Sequence, residues 1–280
     1  MPAPQLTAGC LLLVLGCGDN LGSPARARVV RVERIGTTAS VKHIIGRDGG
    51  ASLAAWDRSI WMFGDTVLDV RDVDGLNWHH NSFSYTSDLD AADGLTDFVT
   101  PLDAAGAPRH FLAPTAEEQA FNLRHAGDSC EEEPCGARWA TWPAAAVWDA
   151  PRERALISYE LLYIGAGELN YGDGGGSSIA VWQSPDEDPK RPELFVVAEH
   201  PTLLFRHDEP PFGQALIISG EHLYAFGCPR DGFDYLCKLA RAPHKRLEAP
   251  TRWLTGAIWP LFGHTGRCSP LMQPRNKTRS

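Results

Sequence analysis

Two aspartates, Asp48 and Asp65, flank a run that reads as a β-hairpin, GGASLAAW-DR-SIWMFGD. Two carboxyl groups within reach of one reacting centre can divide acid and base work, as hydrolysis of a glycosidic bond requires. A two-residue turn at Asp57-Arg58 sets Trp56 opposite Ser59, and hence Gly50 opposite Asp65. Asp48 lies two residues before Gly50, so its side chain shares a face with that of Asp65. Diagonal neighbours of this kind stand about 7–8 Å apart at the backbone. That spacing does not choose between inversion and retention, and it does not say which aspartate is the acid. Gly49 and Gly50 beside the pair leave room for a ligand. The plainer alternative is local: Asp65 caps a turn in FGDT, and Asp48 stabilises a Gly-rich loop.

Other residues join the candidate site. Glu209, in HDEPPFG, precedes its strand much as Asp48 does, and is the expected third carboxylate; a solvated loop Glu is the alternative. Glu160 in ISYELL is expected to face outward or lie between sheets. Arg47, Gly49, Gly50, His80, Asn81 and Trp142 complete the expected substrate-binding set. Adjacent His79 and His80 would face opposite ways on a strand, so they are not expected to share a metal ion. Trp61, Trp78, Trp142 and Trp182 could stack on sugar rings or pack in the core; Trp142, beside Pro143, is the best placed for stacking. No cofactor is expected. The acidic loops SCEEEPC and PDEDPK could attract Ca²⁺, but such loops are more often simply solvated. GDGGGSS lacks the Lys-Ser/Thr of a phosphate loop. Neither a G-x-S-x-G elbow nor an H-E-x-x-H helix is present.

These residues need strands to position them, and the sequence supplies a repeat. Its first copy is the hairpin above followed by NSFSYTSD. The second is WPAAAVWDAPRERALISYELL, then SSIAVWQSPD. The third is FGQALIIS-GE-HLYAFGC, then DYLCKLARAP. Each opens on small residues, turns, returns on an aromatic-rich strand and adds a third strand. The 9 Trp, 21 Pro and 27 Gly suit short strands and many turns. Small first strands fit the crowded centre of a β-propeller, so an all-β, five-bladed propeller is predicted, with a β-sandwich as the rival. No amphipathic helix of useful length is predicted. The pattern covers residues 36–255 and fades after Trp253 into a polar, basic tail, 256–280. A ring that stops early leaves open edges. Either strands near the N-terminus supply the missing material, or the C-terminus is truncated relative to intact relatives; truncation through a frameshift near residue 255, with Cys268 left over, is the expectation.

The start and the cysteines speak to location. A short apolar run ends in Val14-Leu15-Gly16-Cys17, which resembles a bacterial lipobox, although no Lys or Arg precedes it. Residues 1–17 then read as a lipoprotein-type signal with Cys17 as the lipidated residue, and 18–35 as a linker; a plain signal peptide is the alternative. No later stretch reaches the roughly 18 apolar residues of a spanning helix. Cys130 with Cys135, and Cys228 with Cys237, have spacings that can close local disulfides outside the cytoplasm. A zinc site is the rival, but neither pair is C-x-x-C. A net charge of -9 argues against nucleic-acid binding. An exported monomer, held to the membrane only by a lipid anchor, is expected.

Gly46-Arg47-Asp48-Gly49-Gly50, Trp61-Met62-Phe63-Gly64-Asp65-Thr66 and Asn81-Ser82 resemble the opening blade of the DUF4185 family. FGQALIISGEHLYAFGC and CKLARAP resemble a later blade. The resemblance spans roughly residues 40 to 255. It implies a five-bladed propeller similar to those of glycoside hydrolases, some members being endo-D-arabinanases. It also implies a site in the channel mouth carrying Asp48 and Asp65. The expected partner is therefore a polysaccharide or oligosaccharide, such as an arabinan-like or other furanose-containing glycan. A non-catalytic glycan- or protein-binding propeller, or a truncated pseudoenzyme, stands beside that reading.

Overall fold

A computed structural model describes residues 30–32, 41–71, 76–90, 92, 94–166, 171–231, 234–247 and 254–260. The chain divides into two compact units, Met1–Ile35 and Gly36–Ser280, and all the elements below belong to the second. Cys17 and Cys268 lie outside the described residues, as do the signal, most of the linker and residues 261–280.

The predicted first copy is a hairpin of β2 (Ala51–Ala55) and β3 (Arg58–Phe63), with β6 (Ser82–Thr86) on its far side. A second small sheet joins β1 (Ile44–Arg47), β4 (Thr66–Leu68) and β5 (Trp78–His79). The two are one ladder with a break. Ala51 pairs with Met62 and Arg47 with Thr66 in the same register, with no residue gained or lost between them. Likewise Phe63 pairs with Ser82 and Thr66 with His79 in one register. The interruption falls at Asp48–Gly50, Gly64–Asp65 and His80–Asn81.

The hairpin turn differs from the predicted one. Ala55 pairs with Arg58, so the turn residues are Trp56 and Asp57, not Asp57 and Arg58. Both have positive φ, 49° and 54°, as a two-residue turn matched to strand twist demands. A bulky residue in the left-handed region costs roughly 1–2 kcal/mol. Trp56 recovers that cost by packing edge-on against Trp148 and Trp182, each with ring centroids 4.9 Å away.

The second copy is β7 (Arg138–Asp149), β8 (Arg154–Ile164) and β9 (Tyr171–Trp182), extended by β10 (Phe205–Arg206). The third is β11 (Ala215–Ser219), β12 (His222–Gly227) and β14 (Asp234–Pro243), with β13 (Arg230–Asp231) as a short hairpin arm. Its Gly220-Glu221 turn is the predicted one. β15 (Leu254–Pro260) pairs with β14, so strand structure runs past residue 255, where the tail was expected to become irregular.

Alternation along β8 and β9 buries both faces of the middle sheet. Ile157, Tyr159 and Trp182 face the first sheet with Ile60, Met62 and Phe83. Leu156, Ile179 and Val181 face the third sheet with Leu223, Ala225 and Ala240. The chain is thus mostly β, in antiparallel sheets, as predicted. The described strands form four sheets, two of them the halves of the broken first ladder, and no closed sheet is found among them.

One helix was not predicted. α1 (Ala116–Arg124) opens on a reciprocal capping box between Thr115 and Glu118. The face it buries is polar. Glu118 forms a bidentate pair with Arg191, at 2.6 and 2.7 Å. Asn122 donates to the Trp139 carbonyl and accepts from the Trp139 N–H. An apolar stripe, the usual sequence mark of a packed helix, is therefore absent.

Candidate active site

The one-residue slip of the turn brings the two aspartates closer than the sequence suggested. The Asp48 N–H donates to the Asp65 carbonyl at 2.9 Å, and the Gly64 N–H donates to the Asp48 carbonyl at 3.0 Å. Asp48 thus faces Gly64 and Asp65 together across the break, rather than standing diagonal to Asp65 in a regular ladder. Gly49, with φ of 60°, supplies the left-handed kink that the ladder takes here. Gly64 makes the approach possible. A Cβ on Gly64 would lie 3.0 Å from Asp48 Oδ1 and 4.0 Å from the Trp142 ring.

The two carboxyl groups have unlike surroundings. Asp48, Gly49 and Gly50 are exposed, whereas Asp65 is buried. Burial is the largest influence on the Asp65 carboxyl and raises its pKa. Indole donors on Trp78 and Trp142 pull it back, the nearby Asp48 raises it, and Arg138 lowers it; the net direction is upward. Trp142 Nε1 donates to Asp65 Oδ1 at 3.1 Å. Arg138 also sits over the Trp78 ring, 5.6 Å from its centroid. A buried carboxyl with a raised pKa beside an exposed one is an asymmetry that acid–base hydrolysis uses.

The structure sorts the rest of the predicted set. Trp142 is at the pair, though as a donor to Asp65. Asn81 is not free to meet a ligand. Its amide donates to the carbonyls of Leu112 and Thr141 and accepts from the N–H groups of Phe111 and Leu112. It holds the break in the ladder against the neighbouring loop and β7. His80 is buried, contacts Asn122 at 3.4 Å, and stacks near His110. Arg47 points into the sheet: it donates to Ser84 Oγ and lies over the Phe63 ring, and burial lowers its pKa to about 10. Glu209 closes its own turn by accepting from the Arg206 N–H, and is not among the groups that set the charge of Asp65. Glu160 lies on the β8 face that carries Leu156 and Ser158, and burial raises its carboxyl pKa.

Gly64 and Arg138 were missed as site residues. Arg138 lies four residues before the predicted start of its strand, and β7 proved longer than the repeat suggested. Its spacing of four from Trp142 was the available signal, since alternate strand residues share a face. Neither a family model nor a curated protein matches the chain.

Both predicted disulfides are closed, Cys130–Cys135 and Cys228–Cys237. Among the described residues, no cluster of His, Cys, Asp or Glu is arranged to hold a metal ion. Among them, too, no helix is long and apolar enough to cross a membrane.

Proposed function

We propose that this protein is an exported glycoside hydrolase built on a propeller of the DUF4185 type, acting on a furanose-containing glycan, with Asp65 as general acid and Asp48 as nucleophile. The observation that carries the reading is the adjacent pair: one carboxyl buried with a raised pKa, the other exposed. The propeller part draws support from the way β2 packs beside β7, and β7 beside β11, the first strand of each sheet next to the first strand of the following one. That is how inner strands meet around a propeller axis. The disulfides are compatible with an oxidising compartment, and the lipobox resemblance at Cys17 supports anchoring.

In this mechanism Asp65 gives its proton to the leaving-group oxygen as the glycosidic bond breaks. Asp48 attacks the anomeric carbon and forms a glycosyl ester. Water then cleaves the ester while Asp65 takes back a proton. The backbone adjacency of Asp48 and Asp65 supports a retaining course over inversion, which needs about 6.5–9.5 Å between the carboxyl groups to admit a water. Trp78, more than a third exposed, offers a face for a sugar ring.

The test is incubation with arabinan and a panel of furanosides, with products resolved by chromatography and anomers followed by NMR. Asp65→Asn and Asp48→Asn should each lower turnover about 10²–10⁴-fold while the protein remains folded. Undiminished turnover in both variants refutes the assignment. A second reading, glycan binding without cleavage, is favoured by one observation: two cavities among the described residues, one beside β3 and β6 and one at the 103–114 segment, are lined by neither Asp48 nor Asp65.

A further inference from the structure

Those two cavities adjoin, and together they have the chemistry of a second site. One, of about 270 Å³, lies between β3, β6 and the segment after β9; Tyr85 and Trp182 are among its lining residues. The other, of about 380 Å³, is lined by the 103–114 segment and Gln119 of α1, with Pro108, His110 and Pro114 on its walls. Arg109 and Asp188 line both, and their ion pair stands where the two meet. The volumes approach or enter the range of small-ligand sites, roughly 300–1,000 Å³.

The walls are held in place. Arg58 stacks over Tyr85 with its guanidinium 4.6 Å from the ring centroid. Trp182 Nε1 donates to the Glu187 carbonyl at 2.7 Å. His110 stacks on His79 with ring centroids 4.4 Å apart. The Arg109 N–H is bound to the Pro101 carbonyl. Charge then selects the ligand. Across both cavities, Arg58 and Arg109 face Asp103, Asp186, Glu187 and Asp188, so the lining is net acidic and disfavours an anion. A neutral ligand with paired hydroxyls suits it. Vicinal hydroxyls can accept from a guanidinium and donate to a carboxylate at once. Pro101, Pro108, Pro114 and Pro185 in the lining offer apolar ring faces to the C–H face of a sugar.

We propose that the groove bridged by Arg109–Asp188 is a non-catalytic binding site for a neutral oligosaccharide, separate from the Asp48–Asp65 pair. The choice of a sugar over another polyol rests on the glycan reading given above; the existence of the site does not.

The experiment uses the full chain carrying Asp65→Asn, titrated with arabinohexaose and, separately, with hexagalacturonate, by calorimetry and by NMR. Arabinohexaose should bind and shift the resonances of Tyr85, Arg109 and Gln119. Arg109→Ala and Asp188→Ala should each weaken binding tenfold or more. Hexagalacturonate should bind more weakly than the neutral sugar. Tighter binding of the acidic probe, no binding of the neutral one, or shifts confined to Trp78 and Trp142 would each overturn the proposal. The shift map on the parent protein keeps the test decisive should either alanine variant fold poorly. The two readings separate cleanly. Groove binding by an otherwise wild-type chain that cleaves nothing sinks the hydrolase reading alone; cleavage of arabinan with no binding in the groove sinks this one alone.

Discussion

The Asp65 carboxyl is where the sequence of this protein acquires its sharpest chemical consequence. Its native pKa is raised, chiefly by burial, so the folded state holds this proton more tightly than the unfolded chain does. Stability from this group is therefore fully present below the ordinary carboxylate pKa and is lost as pH rises through the raised value. The Trp142 indole opposes that shift by donating to the ionised form. Trp142→Phe removes the donor, so the Asp65 pKa should climb further and the window of pH-dependent stability should extend to higher pH. Asp65→Asn should flatten the same part of the curve. Urea midpoints measured across the pH range test both. An unchanged profile in Asp65→Asn would mean that some other group governs that window.

At the scale of elements, the three strand triplets were legible because small, aromatic and turn residues recur in a fixed order. Each triplet forms where the pattern put it. The β2–β3 register was not legible. Turn rules favour Asp-Arg over Trp-Asp, and only the aromatic pocket of Trp148 and Trp182 makes Trp56 the better turn residue. Parity survived the slip, but the ladder is interrupted at both aspartates, so alternation alone does not fix the faces their side chains take. α1 escaped notice because its packed face is Glu118 and Asn122, although the Thr115–Glu118 capping box was in plain view. Asn81 was marked as a ligand contact for the same reason: a polar side chain in a motif does not disclose whether backbone groups already satisfy it. Its four hydrogen bonds join the broken ladder, the 111–112 segment and β7. Asn81→Ala leaves those buried backbone groups without that partner, each at a cost of roughly 1–3 kcal/mol. The variant should lose at least about 3 kcal/mol in chemical denaturation. A loss below 1 kcal/mol would show that the clamp is dispensable.

At the scale of the whole molecule, the question is what joins the third sheet to the second besides apolar packing. Asp149, fully buried at the end of β7, answers part of it. Its carboxylate accepts from Arg152 at 3.0 Å and from Arg154 at 3.0 Å, and stands 3.2 Å from His244 Nδ1 just after β14. Arg154 also donates to the His244 carbonyl at 2.6 Å. One acidic side chain thus fixes two cations of the middle sheet against the end of the third. Replacing both charges of a buried pair with apolar groups can be harmless, but removing one partner strands the other and costs about 3–5 kcal/mol. Asp149→Ala strands Arg154, whose side chain is only 12% exposed. The loss should not spread evenly. The first sheet packs on the opposite face of the middle sheet, through Ile157, Tyr159 and Trp182, whereas the bonds of this node run to His244 after β14. Hydrogen exchange should therefore accelerate in β12 and β14 well before it does in β3 and β6. Uniform acceleration across all three sheets would instead mean that they unfold as one cooperative unit, with the Asp149 node no more local to the third sheet than to the first.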